Sequence, residues 1–485
     1  MESETEELLS MDEAIERLKT TRPTFYRWLR SGRIKGLKLG RQWRFYPADL
    51  ERFLQGEQPR VDLPVGIGPL LAELALQLQE LEIEVAEVPE TAAGALERML
   101  QLAAATGAGS LHLEAVFLAP GQQQAVLRCR IDGVLQTLAE FDRRLLPALI
   151  EAAKQRSHCD PHLSDQPQEG QLYYECPSPC QTFDLRTQFL PTALGESLSA
   201  LMLNRSVAEQ ITLARIGLPA EIEAGLKAAL RRGWGLIVAA GPTGCGKTTT
   251  LYAALNEMAG PRLKSITLEA HVEMFFPWVT SLPVQARSGQ SFAELIKAAM
   301  QADPDLLLVA ELRDAQSLQQ TLGIALTGHL VLTTLHAPDA VRSLLRLVEV
   351  SGNAYSVSEA LGLILNQRLV RRLCPECRRQ AELPAELLPR LQALLSAQGL
   401  GLPEGPFWQP GGCRSCNAGY RGRVQLTEAL SLNPELSRAL LAEAPEAELR
   451  RIWLATGGRS WIADGLAHVA QGDTSLEELL RAGGQ

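Results

Sequence analysis

Apolar residues recur with different periods in successive stretches of the chain. Residues 11–19 place Ala14, Ile15 and Leu18 on one helical face, and Ser10 followed by Glu13 has the capping-box spacing that opens such a helix. A second helical stretch, 21–30, follows after almost no loop. Residues 34–46 then alternate around Gly40-Arg41 like a small hairpin, and 47–54 reads as a closing helix. Helix, tight turn, helix and hairpin in about fifty residues is a winged helix-turn-helix layout. Three prolines and three glycines in 55–69 mark a linker. Beyond it, helical patterns at 70–81, 92–105 and 145–156 combine with strand-like alternation at 111–117, 125–138, 182–189 and 198–203. A turn at Asp132-Gly133 and a polar, Pro-rich stretch up to Cys180 interrupt them, and the whole reads as an α+β domain. From Leu236 onward, apolar runs of strand length alternate with helices, which predicts a largely parallel sheet and an α/β domain.

At 485 residues, 46% hydrophobic and 21% charged, the composition is that of a soluble globular chain of about three domains; it excludes general disorder and fibrous repeats. Charge changes the picture more. The net charge is −9, yet residues 17–52 carry eleven basic side chains against only Asp49 and Glu51, so that block is +9 and the remainder −18. A basic block on an acidic chain predicts an appended module with a polyanion-facing surface. No apolar run approaches the ~18 to 20 residues of a membrane span, and the first residues are acidic where a secretory signal would be basic. A cytoplasmic location is expected. Nine cysteines, four of them in two C-x-x-C pairs, point to metal binding and free thiols before disulfides.

Residues 8–54 resemble the excisionase and MerR-type DNA-binding domains. Thr21, Arg22, Thr24, Tyr26 and Arg27 fall on the expected recognition helix, and Lys38, Arg41 and Arg44 on the wing. Hydroxyls and guanidinium groups in those places could contact phosphates and guanine edges. A protein-docking winged helix has the same pattern, so both partners stay open.

The segment Gly241-Pro242-Thr243-Gly244-Cys245-Gly246-Lys247-Thr248 is a G-x-x-x-x-G-K-T phosphate loop, directly after a buried strand and before an amphipathic helix continuing through Thr249. Its glycines let backbone N–H groups turn around a β-phosphate, Lys247 can bridge β- and γ-oxygens, and Thr248 can ligate Mg²⁺. An apolar strand ending in Glu311 supplies the carboxylate that could orient an attacking water and hold magnesium through water. His336 ends another apolar strand, where γ-phosphate sensing is a sensible role. Cys245 is a small filler or a modifiable thiol.

Four stretches, 241–256, 265–273, 303–317 and 327–340, look like the Walker A, Asp, Walker B and His boxes of the secretion ATPases, the motors of type II secretion and type IV pilus assembly. The resemblance runs from about Gly68 to the C-terminus. It implies a homo-hexamer of two-lobed subunits, a RecA-like domain with ATP bound between lobes, and an inner-membrane platform protein as partner. It matches Glu269 and Glu273 to acids of the Asp box, Glu311 to the Walker B glutamate, and His329 and His336 to the His box. Residues 127–135, 167–174 and 183–196 resemble the family's second N-terminal domain, with Arg128, Arg130 and Arg186 matching its arginines and Arg186 best placed to reach a γ-phosphate on closure. The chain departs from the pattern at Ala270-His271, and Leu201, Gln171 and Gln301 stand where arginines are usual. ATP binding with weakened hydrolysis is the expectation.

Cys374, Cys377, Cys413 and Cys416 form two C-x-x-C pairs with thirty-five residues between them, the donor set of a structural Zn²⁺ site. Their flanks resemble the tetracysteine region of pilus-extension and secretion ATPases. Cys159, Cys176 and Cys180, with His158 and His162, hint at another metal cluster, but their spacing fits no standard template, and free thiols or a chance grouping is the better reading. The expected fold is an α/β RecA-like P-loop ATPase domain (206–370) preceded by a winged helix-turn-helix (1–56), a linker (57–69) and an α+β lobe (70–205). A zinc-binding region (371–424) and a C-terminal helical region (425–485) follow. The expected activity is an ATP-hydrolysing motor that powers pilin or pseudopilin polymerisation; the rivals are a nucleotide-gated DNA-binding regulator and a weakly hydrolysing assembly subunit.

Overall fold

The computed structural model describes residues 8–484 apart from 31–33, 35, 40–41, 55–65, 86, 120–121, 179, 206–210, 285–290, 313–314, 397–399, 403–404 and 415. The chain divides into two compact units, Met1–Ser206 and Val207–Gln485. No described helix is long and apolar enough to cross a membrane.

The first unit opens with the expected winged helix. Ser10 caps the helix Met11–Arg17 and Glu13 reaches back to the Ser10 N–H at 2.6 Å, completing the capping box. The helices Arg22–Arg30 and Pro47–Leu54 and the antiparallel strands Leu37–Leu39 and Gln42–Phe45 follow, and Leu9–Ser10 adds a third strand against the latter. Phe25 and Phe45 meet edge to face at 5.1 Å in the core, with Ala14, Ile34 and Leu50 around them. The Gly40-Arg41 turn and most of the expected linker lie outside the described residues.

The α+β part is a six-stranded antiparallel sheet in the order Val134–Phe141, Gln122–Ile131, Ala108–Ala119, Gly195–Asn204, Gln181–Thr192, Gln168–Cys176. Helices Gly68–Glu80, Ala92–Ala105 and Leu146–Arg156 pack on it around Leu74, Leu96, Met99, Leu111, Leu127 and Leu149. The stretch read as polar and Pro-rich holds the edge strand Gln168–Cys176. Its Leu172, Tyr174 and Cys176 alternate inward beneath polar neighbours, a period too short to stand out beside the flanking prolines.

The second unit holds a seven-stranded sheet in the order Val279–Pro283, Ser265–Glu269, Leu306–Val309, Leu330–Leu335, Gly235–Ala240, Leu361–Leu373, Tyr420–Leu430. Every neighbouring pair is parallel except the last. Alternate residues of Gly235–Ala240 feed different cores, Leu236 and Val238 on one face and Ile237 and Ala239 on the other, which is why the strand is uniformly apolar. The expected boundaries at 370/371 and 424/425 need correcting: both cut through the paired strands Leu361–Leu373 and Tyr420–Leu430, so the tetracysteine segment and the C-terminal helices share this sheet.

Glu428 ties that last strand to two helices. Its buried carboxylate accepts from the N–H of Ala340 and, at 3.1 Å, from that of Trp461, the first residues of Ala340–Ser351 and Trp461–Gln471. Burial raises its carboxyl from the usual 4.5 to about 7, the Asp339 charge adding to the rise and the two N–H donors and Arg450 opposing it. A raised folded-state value means that Glu428's contribution to stability is fully present below about 4.5 and is lost as pH rises through about 7. Between pH 5 and 8 the wild type should therefore lose more stability than Glu428→Gln, by up to about 3 kcal/mol. Melting midpoints of both proteins at the two pH values check this, and equal losses would refute it.

Candidate functional site

The phosphate loop is built by close packing. From the carboxy end of Gly235–Ala240 the chain turns through Gly241 (φ 139°), Gly244 (φ 75°) and Gly246 (φ 89°) into the helix Lys247–Met258. At Gly241 a Cβ would lie 2.4 Å from the Gln367 carbonyl oxygen and 2.6 Å from the Cys245 sulfur, so backbone conformation and space both demand glycine. Lys247 is buried, and its Nζ donates to the carbonyls of Gly241 at 2.9 Å and Pro242 at 2.8 Å. Burial lowers its pKa, and the nearby Glu311 charge is among the opposing influences. Thr248 is half-buried in the first helical turn, whereas Thr243 and Thr249 are exposed. Burial pushes the Cys245 thiol up, which makes it a neutral packing group and not a reactive thiolate.

Glu311 and His336 lie at the same, carboxy edge of the sheet as the phosphate loop. They follow the neighbouring strands Leu306–Val309 and Leu330–Leu335, with His336 Nε2 3.9 Å from a Glu311 oxygen. Glu269, the last residue of its strand, is 2% exposed and accepts a hydrogen bond from the Tyr252 hydroxyl. Burial foremost, then the Glu269 charge, raise the Tyr252 pKa. Glu273, half-buried, lies four residues further on. His329 requires a correction. It precedes Leu330, whose register partner is Gly235, so it sits at the amino edge of the sheet, roughly 20 Å from His336 along one strand. There its Nδ1 is 3.2 Å from the Thr327 hydroxyl, in a cavity of about 260 Å³ lined also by Gly233, Asp303 and Asp305. The structure does not bring His329 to the phosphate loop of its own unit, because the box that suggested it spans a whole strand.

In the first unit, Arg128 and Arg130 lie on Gln122–Ile131 and Arg186 on Gln181–Thr192. Arg128 Nε donates to Glu114 at 2.7 Å and Arg130 Nη1 to the Gly133 carbonyl at 3.1 Å. Register places Arg130, Ser110, Leu201, Arg186 and Gln171 in one row across five strands. Leu201 and Gln171, two of the missing arginines, are therefore the direct neighbours of Arg186. Beside this row His112 bonds Ser110 at 2.9 Å and Ser199 at 3.0 Å. Neither His112 nor Glu114 stood out in the sequence; only the pairing of their strands gives them partners.

The four sulfurs of Cys374, Cys377, Cys413 and Cys416 all lie within 4.8 Å of one another, with three pairs at 3.4, 3.6 and 3.8 Å. Tetrahedral thiolates at about 2.3 Å from zinc are about 3.8 Å apart, so the set fits Zn²⁺ without an open position. Gly411 is required here: a Cβ would lie 2.0 Å from the Cys377 carbonyl oxygen. Among the described residues no other three His, Cys, Asp or Glu ligands converge, and Cys159, Cys176 and Cys180 are free.

On the winged helix, Thr21, Arg22, Tyr26 and Arg27 are exposed and Thr24 and Arg44 half-buried. The Thr21 hydroxyl donates to that of Thr24 at 3.0 Å, Arg44 Nη2 donates to Gln42 at 2.8 Å, and Arg22 approaches Asp12 at 3.7 Å. Lys38 lies on Leu37–Leu39; Arg41 falls outside the described residues.

Residues 90–481 match the type II/IV secretion system protein family and residues 8–58 a helix-turn-helix domain family. The chain is 32% identical over 404 residues to the type II secretion system protein HxcR of Pseudomonas aeruginosa, covering 82% of this chain and 80% of that protein. It is 31% identical over 386 residues to the type IV pilus assembly ATPase PilB of Acinetobacter baylyi, covering 80% of this chain and 65% of that protein. The fold is shared with the Legionella pneumophila ATPase DotB at a TM-score of 0.57 and 20% identity, over 80% of this chain and 95% of that structure. Phosphate loop, sheet-edge glutamate, tetracysteine knot and sequence agree, and the chain belongs to the type II/IV secretion system protein family, the ATPases of type II secretion and type IV pilus assembly.

Proposed function

We propose that the chain is a hexameric, zinc-containing motor that binds Mg-ATP at residues 241–249 and hydrolyses it slowly to drive pilin or pseudopilin polymerisation. It would work in the cytoplasm, at the inner membrane, through a platform protein. The observation that carries this reading is the convergence of the phosphate loop, Glu311 and His336 on one edge of one sheet.

In this reading Lys247 exchanges the carbonyls of Gly241 and Pro242 for β- and γ-phosphate oxygens, and the N-terminus of its helix adds partial positive charge. Thr248, and Glu311 through water, would hold a magnesium ion, which would supply charge neutralisation to the phosphates. Glu311 orients the attacking water and His336 reads the γ-phosphate. Glu269 is a positioning residue acting through Tyr252 on the same helix, and Glu273 belongs to the same edge. Arg186, Arg128 and Arg130 match the arginines of the secretion ATPases, the bidentate cations that a transferring phosphoryl group calls for. Arg186 has Leu201 and Gln171 on either side where relatives carry cations, which argues for weakened transition-state stabilisation.

The same approach supports the other two modules. A cation bound by the four cysteines is Zn²⁺, because four thiolates and no fifth donor describe a closed structural site. The recognition helix exposes Thr21, Arg22, Tyr26 and Arg27, a polar and cationic face that suits duplex DNA.

Three measurements test these assignments. In a steady-state ATPase assay Glu311→Gln should reduce kcat at least ~100-fold while nucleotide binding persists, and Leu201→Arg should raise it by about tenfold; an unaffected Glu311→Gln would refute the site, and an unaffected Leu201→Arg the cation shortage. Metal analysis should find close to one zinc per chain, lost in Cys413→Ser with a fall in melting midpoint. The full chain should retard duplex DNA with an affinity that drops steeply with salt and weakens in Arg22→Ala/Arg27→Ala; no retardation at low salt makes the winged helix a protein-docking module.

A further inference from the structure

Three consecutive residues outside every motif hold the phosphate loop and the turn after His336 together. Asn366, Gln367 and Arg368 are 0, 0 and 3% exposed on Leu361–Leu373, whose pairing with Gly235–Ala240 ends at Ala240 opposite Asn366. Gln367 and Arg368 thus run on beneath the loop. The Gln367 side-chain amide donates to the Cys245 carbonyl at 2.8 Å, and its oxygen accepts from the Thr250 hydroxyl at 3.0 Å and the Gln425 amide at 2.9 Å. On the other side, Asn366 Nδ2 donates to the Ala337 carbonyl at 2.9 Å and Arg368 Nη2 to that of Pro338. Ala337 and Pro338 directly follow His336. Arg368 Nη1 also donates to Asn366 Oδ1 at 3.1 Å and to the Gln367 carbonyl at 3.0 Å, the oxygen against which Gly241 packs.

Arg368 is an expensive residue for a strand interior. Among the described residues no carboxylate oxygen lies within ion-pair distance of it, and every oxygen it bonds is neutral. The Glu428 and Asp339 charges and the Trp461 ring at 5.1 Å offset only part of the cost of keeping a guanidinium from water without an ion-paired partner, a cost that a well-packed neutral side chain would not carry. What no neutral or single-point donor supplies is a rigid fork that reaches the Pro338 carbonyl with one nitrogen and the floor of the phosphate loop with another.

We propose that Arg368, assisted by Asn366, is a positioning residue that locks the His336 loop to the phosphate loop, so that His336 meets the γ-phosphate at a fixed distance and the site tells ATP from ADP. This rests on the reading of His336 as the γ-phosphate sensor. Among the described residues His336, half-exposed, has only the Glu311 carboxylate, at 3.9 Å, within ion-pair reach, so its own side chain does not fix its loop.

The test is competition of ADP and of a non-hydrolysable ATP analogue against a fluorescent ADP on the full chain. Arg368→Lys should lower the analogue-to-ADP affinity ratio roughly tenfold, the equivalent of one charge-assisted hydrogen bond, with ADP affinity within about twofold of wild type. Asn366→Ala, a milder change that keeps the guanidinium, should move the ratio the same way and serves if Arg368→Lys does not fold. Combined with His336→Ala, neither should lower the ratio further. A parallel loss of both affinities, or an unchanged ratio, overturns the proposal while leaving the sensor reading intact. An unchanged ratio in His336→Ala alone refutes the sensor reading and the positioning role with it.

Discussion

The contact that organises the second unit is the seating of the phosphate loop on the strand Leu361–Leu373. A loop that offers its N–H groups to phosphate has to anchor its carbonyls on the opposite side, or it collapses into turns that pair them internally. Here Lys247 takes the carbonyls of Gly241 and Pro242, Gln367 takes that of Cys245, and Gly241 lies so close to Gln367 that no side chain fits between. One thirteen-residue strand therefore carries the sheet pairing, the floor of the loop, the tether of the His336 turn and, one residue past its end, the first sulfur of the four-cysteine cluster.

Much of this was legible in the sequence because it is local. Capping at Ser10, the helix 92–105, the glycines of the phosphate loop and the two C-x-x-C pairs each depend on residues a few positions apart. The parallel sheet was legible too, since strands covered on both faces are apolar throughout. What stayed hidden is what pairing creates. Asn366 to Arg368 and Glu428 carry no local signal until strand order sets them under a loop and against two helix ends. His329 shows the reverse error: seven residues along a chain look adjacent, but along an extended strand they separate opposite edges of a sheet.

The cation shortage acquires a location in the same way. In the sequence Gln171, Arg186 and Leu201 are three scattered positions; in the sheet they are consecutive members of one row. Three arginines side by side at about 4.8 Å spacing would repel each other unless an anion lay across them. With a glutamine and a leucine as neighbours, Arg186 carries no such strain, and on the proposed reading it would gain correspondingly less from a phosphate. On the proposed reading, lower transition-state charge stabilisation and a less strained row are two sides of one substitution pattern.

The place of the four-cysteine cluster follows from chain topology and not from catalysis. Leu361–Leu373 and Tyr420–Leu430 pair antiparallel, but they are joined by a long insertion and not by a tight turn, and their ladder ends at Leu373 opposite Tyr420. Closing a loop of that length costs roughly 3 kcal/mol of chain entropy, which a ladder end left to fray cannot recover. With zinc bound as proposed, the four sulfurs beyond the last pair would turn the fraying end into a closed one; a structural zinc site contributes on the order of 10 kcal/mol, ample for the task. A site placed there for strength has no use for an open coordination position, and the four cysteines leave none.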